Sequence, residues 1–211
     1  MVRITVAWLV GAFLGLGHCP LRAQSAGGSP WQPGVYWLAD GQEQSAELRY
    51  NAANDLLQVR TAVGLRAFSA RQVCGFTLLD PADNHLRQFE ALAYNPRANY
   101  PRRAFFEVVL RGAWRVVRRP AEPEASVPRP AFLPDFLYYV HQPDQLTPLV
   151  PFSHFRRAIW PRMRQQFGSE LKQVMHDKGL SLNGLVNKIR LVNQYNHLCA
   201  TQRPVVAQTG Q

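Results

Sequence analysis

"FFEVVLRGAWRVVRR", residues 105–119, is the stretch that decides the fold. Two runs rich in β-branched and aromatic residues flank Arg111-Gly112. In the first run Phe106, Val108 and Leu110 alternate with Phe105, Glu107 and Val109. Period-two alternation around a Gly-containing turn predicts a β-hairpin with at least one covered face.

The same rhythm continues on both sides. Upstream, "VYWLADG" (35–41) reads as a strand closing on an Asp40-Gly41 turn. "AELRY" (46–50), the turn "NAAND" and "LLQVRT" (56–61) then form a hairpin, and Val63-Gly64 turns the chain into "LRAFS" (65–69). "ARQVCGFTLLD" (70–80) suggests a short helical turn followed by a strand from Phe76 to Leu79, with Gly75 allowing a bend or a close backbone contact. "HLRQFEALAY" (85–94) is a further strand. Downstream, "FLYYV" and "LTPLV" pair through "HQPDQ" (141–145). Between these blocks, residues 119–134 carry five prolines, which deny backbone donors and predict an extended connection.

After Pro151 the apolar period changes to about 3.6 residues. Residues 152–167 predict one or two helical pieces kinked near Pro161. Ser169 is the expected cap of a second helix ending at Gly179, and Ser181 the cap of a third. On the third, Leu182, Leu185, Val186, Ile189 and Val192 make one apolar stripe and Leu191, Tyr195 and Leu198 a second, so it is expected to lie between the other helices and the sheet with Cys199 turned inward. The fold class is therefore α+β: an antiparallel sheet or partial barrel followed by a C-terminal unit of two or three helices.

Arg3, the apolar run Ile4–Gly17 and small residues near Ala23, Ser25 and Ala26 match the three-part pattern of a secretory signal. The expected organisation is a signal peptide at 1–25, a β-rich domain at 26–150, a helical packing unit at 151–199 and a flexible tail at 200–211. No transmembrane helix is expected in the mature chain, because the apolar run falls short of a membrane span. His18, rather than a small residue, precedes Cys19, which argues against lipid attachment. Cleavage near Ser25 leaves Cys74 and Cys199, either as a disulfide in an oxidising compartment or as two buried thiols.

The formal charge is +10, carried mostly by arginine spread along the chain. This permits acidic partners without requiring them. Arg115, Arg118 and Arg119 near Trp114, and Arg156 and Arg157 with Arg162 and Arg164 near Phe155 and Trp160, are the candidate anion-binding residues. The opposing reading has the aromatics inward and the arginine heads in water, so that Arg118→Ala with Arg119→Ala leaves folding nearly untouched.

The chain lacks G-x-S-x-G, H-E-x-x-H, paired C-x-x-C and phosphate-binding glycine-loop motifs, and nothing in it specifies a reaction. No cofactor or metal is implied. A hydrolase or metal site would have to be assembled from distant residues, such as Asp80, Asp83 and His85 or His141 and Asp144. Those residues also suit simple turns, as His176 and His197 suit solvated positions.

Asp40-Gly41, Arg71–Phe76, Phe105–Gly112 and Leu191–Asn196 together resemble an uncharacterised family of exported, β-rich proteins of Bacteroidota-type bacteria. The resemblance implies a β-rich module with helices and an envelope location, and it supplies no activity or site. The expected function is a noncatalytic binding or structural role in the periplasm or outside the cell, with an envelope protein or an anionic lipid or glycan as partner and no nucleic acid.

Overall fold

In the computed structural model the described residues are 30–80, 84–94, 102–121, 135–143, 145–149 and 154–202. The expected signal segment with Cys19, most of the proline-rich connection, Asp83, Asp144 and the end of the tail lie outside them.

Ten strands form one antiparallel sheet. They are β1 (Gln32–Leu38), β2 (Glu43–Asn51), β3 (Leu56–Thr61), β4 (Gly64–Ser69), β5 (Val73–Asp80), β6 (His85–Tyr94), β7 (Arg102–Leu110), β8 (Arg115–Pro120), β9 (Phe136–Gln142) and β10 (Gln145–Pro148). The order is β10-β9-β8-β7-β6-β5-β1-β2-β3-β4, a meander on each side of the β1–β5 junction. A π-helical turn (Phe155–Ile159), α1 (Trp160–Asp177) and α2 (Leu185–Gln202) follow.

The sheet is strongly curled. Tyr50 on β2 lies 5.9 Å, centroid to centroid, from Phe105 on β7, although β1, β5 and β6 separate the two strands. Asp55, in the β2–β3 turn, locks the curl by accepting from the Tyr50 hydroxyl at 2.8 Å and from the Phe105 N–H at 3.3 Å. Two glycines in neighbouring strands permit the bend. A Cβ on Gly34 would sit 2.1 Å from the Thr77 carbonyl oxygen, and one on Gly75 would sit 2.8 Å from that of Phe89. Bulges at Trp37/Leu38 and Val108/Leu110 add local twist.

The inner face is covered by two devices. At the β1–β7 side it closes on itself around Tyr36, Leu48, Tyr50, Phe76, Phe89 and Phe105. At the β8–β9 side, Val116 and Val140 join Trp114 and the helical residues Phe155, Ile159, Met163, Phe167, Leu171, Leu191, Val192 and Tyr195 in one cluster. Sheet and helices therefore share a core. The outer face carries a smaller cluster of Leu92, Ala104, Phe106, Val117 and Tyr139.

Two helical expectations change, and one gains a further break. The π-helical turn gives way to α1 at Ile159/Trp160, next to Pro161 as expected, and a second break falls at Phe167, with φ −138° and ψ 51°. Ser181 caps a turn, accepting from the Asn183 N–H, and α2 starts only at Leu185. The buried stripe of α2 runs through Lys188, Leu191, Val192, Tyr195 and Asn196, leaving Val186 exposed. Its two buried polar residues are staples: Lys188 Nζ donates to the Leu149 carbonyl, and Asn196 pairs with the backbone of Trp114.

Candidate functional site

Glu107 shares the inner face of β7 with Phe105, which places a carboxylate among aromatic rings. Register puts Glu107 opposite Phe89 on β6 and opposite Arg118 on β8, with Arg87 two residues from Phe89 on the same face. The result is a double fork. Arg87 Nε and Arg118 Nη2 donate to Oε1 at 3.0 and 3.1 Å, while Arg87 Nη2 and Arg118 Nε donate to Oε2 at 3.0 and 2.9 Å. Each guanidinium also rides on a ring, Arg87 over Phe89 and Arg118 over Phe136.

This clamp forms one polar side of a cavity of about 390 Å³ in the curled sheet. Leu78, Phe89, Phe105 and Phe136 supply the apolar wall, with Gln32 and Asp80 also on the lining. Burial works to raise the Glu107 pKa, but the hydrogen bonds and charges of Arg87 and Arg118 outweigh it and hold the carboxyl below its ordinary value. Glu107 correspondingly raises the pKa of Arg118. With its lone-pair positions filled by four donors, Glu107 is a poor proton acceptor.

The sequence-predicted arginines do not gather in one patch. On β8, Arg118 faces inward, whereas Arg115 and Arg119 project from the outer face. Arg115 Nη1 reaches Glu90 at 2.6 Å and its Nη2 reaches His141 Nδ1 at 2.8 Å. Arg119 is only 4% exposed, with its guanidinium over the rings of Tyr94 and Phe106. Arg156 and Arg157 are exposed on the π-helical turn. Arg156 borders a shallow groove with Trp160 and Arg164, while Phe155 beside it is fully buried.

Among the described residues the two cysteines, Cys74 and Cys199, are free thiols. Cys74 is exposed on β5, and Cys199 packs against the helical core. Among the described residues no three His, Cys, Asp or Glu side chains gather as a metal site, and no helix is long and apolar enough to cross a membrane. His85 starts β6 opposite Asp80 in the β5–β6 register. His176 is exposed beside Asp177.

Arg87 was not singled out by its local sequence. The available signal was Glu107 itself, a charge at a buried position of an otherwise apolar alternation. The chain matches no family model, no curated protein and no solved structure.

Proposed function

We propose that the chain is an exported, noncatalytic binding module whose inner cavity takes a small, mainly apolar molecule bearing a hydrogen-bond acceptor at one end. The observation that carries this reading is the clamp. Guanidinium groups only donate, and the Glu107 oxygens are already saturated, so the polar part of the Arg87–Glu107–Arg118 wall has only N–H groups left to offer. The aromatic remainder of the cavity suits an apolar body. Export is supported by the charged, apolar and small-residue pattern of residues 1–25. The same four-donor saturation argues against Glu107 as a general base.

Calorimetric titration with decanoate and with decylamine tests this. Decanoate should bind more tightly than decylamine, because an ammonium brings only donors to the Arg87–Arg118 side of the cavity and leaves Asp80 as the lining carboxylate able to receive it. Equal binding of both, or of neither, contradicts the reading.

A second reading rests on the groove of Arg156, Trp160 and Arg164, which suits contact with an anionic lipid headgroup or glycan. Sedimentation with phosphatidylglycerol vesicles, lost on Arg156→Glu with Arg164→Glu, supports it; sedimentation unchanged by that pair of substitutions removes it.

A further inference from the structure

On the opposite face of the sheet, a second hollow of about 430 Å³ is framed by Gln88 and Glu90 of β6, Arg115 of β8, His141 of β9 and the β7–β8 turn around Arg111. It shares no residue with the inner cavity. Arg115 reaches across β7 to Glu90 at 2.6 Å and holds His141 Nδ1 at 2.8 Å. Because a guanidinium can only donate, Nδ1 accepts, and the neutral ring carries its proton on Nε2 as a further donor. Two residues along β6 from Glu90, the Gln88 side-chain oxygen is buried and meets no donor among the described residues. A buried acceptor left unmet is costly and marks a place where a ligand donor gains most.

The hollow thus combines unspent acceptors (Gln88 Oε1 and the second carboxylate oxygen of Glu90) with donors on His141 and the arginines. A phosphate or carboxylate would satisfy the arginines but face the Glu90 charge and the Gln88 lone pairs. An ammonium would satisfy Glu90 and Gln88 but face Arg111 and Arg115. A neutral group that donates and accepts at adjacent positions satisfies all of them. We infer that this outer hollow binds adjacent hydroxyl groups of a neutral saccharide.

The test is saturation-transfer NMR on the folded protein with the methyl glycosides of glucose, galactose and mannose, alongside acetate and methylammonium. At least one glycoside should receive saturation, and acetate and methylammonium should not. Gln88→Leu should weaken glycoside binding about tenfold, the loss of one well-made hydrogen bond, with the melting curve retained. In the unmodified protein the glycoside should shift the side-chain amide resonance of Gln88 and the ring resonances of His141, which keeps the proposal testable if Gln88→Leu does not fold. Absence of binding by all three glycosides, glycoside binding indifferent to Gln88→Leu, shifts confined to other residues, or binding of acetate or methylammonium in this hollow would each overturn it. Decanoate binding in the inner cavity is read separately, so either proposal can fail alone.

Discussion

The side-chain amide of Asn196 pairs in both directions with the backbone of Trp114, 82 residues earlier: the Trp114 N–H donates to Oδ1 at 2.9 Å and Nδ2 donates to the Trp114 carbonyl at 2.8 Å. One amide thereby fastens α2 to the β7–β8 turn. Asn196→Ala leaves two buried backbone groups unmet and should cost about 3 kcal/mol, read as a lower urea midpoint. Asn196→Asp keeps the acceptor but loses the donor, so it should also destabilise the fold.

Gly112 carries the other side of this junction. Its φ is +153°, and an added Cβ would lie 2.3 Å from Asn196 Nδ2. Gly112→Ala should therefore destabilise by about 2 kcal/mol or more, through backbone strain and displacement of the amide together. The exposed Gly64 (φ +130°), with nothing near its missing Cβ, separates the two effects. Gly64→Ala should cost less than Gly112→Ala in the same denaturation experiment.

The Glu107 clamp makes stability depend on acid. A carboxyl whose folded pKa lies below its ordinary value of 4.5 contributes stability that is present above that value and lost as pH falls through the folded pKa. Glu107→Gln should lower the melting temperature at neutral pH and flatten its decline below pH 4.5. A variant that declines as steeply as the parent would show that other carboxylates control acid unfolding.

Arg118 and Arg119 sit on opposite faces and both are structural, which reverses the expectation that their joint removal is harmless. Arg118→Ala breaks half the double fork on a buried carboxylate, a loss of about 3 kcal/mol. Arg119→Ala uncovers Tyr94 and Phe106 on the outer face. The double substitution should show a large drop in thermal stability, roughly the sum of the singles because the two sites are on different faces.

His141 predicts a second pH window. Burial first, and then the Arg115 charge, push its pKa below the ordinary 6.5, against the smaller pull of Glu90. The folded state favours the neutral ring, so stability is lost as pH falls from 6.5 through the folded pKa. His141→Gln should remove that part of the pH dependence, measured as melting temperature between neutral and mildly acidic pH. The ring's NMR titration midpoint should fall below the ordinary 6.5.

The sheet was legible because alternation and turn residues act locally. "LLQVRT" and "HLRQFEALAY" are bounded by turn formers, and their ends agree with β3 and with β6. The curl was not legible, since it depends on Gly34 and Gly75 meeting neighbouring backbones and on Asp55 reaching Phe105. The clamp was only half visible. Glu107 and Arg118 sit in one hairpin, but Arg87 joins them through the β6–β7 register, and residues 95–101 between those strands carry no repeat that fixes it. Lys188 and Asn196 were missed for a related reason: each reads as a polar surface residue until the carbonyl it serves is placed opposite it.

The most direct test of the inner-cavity account is an NMR titration of ¹⁵N-arginine-labelled protein with decanoate, following the Nε–H resonances. The account predicts that the Arg87 and Arg118 signals shift together and saturably while Arg115 stays in place. Saturable binding that leaves Arg87 and Arg118 unmoved, or no binding by the folded protein, would contradict it.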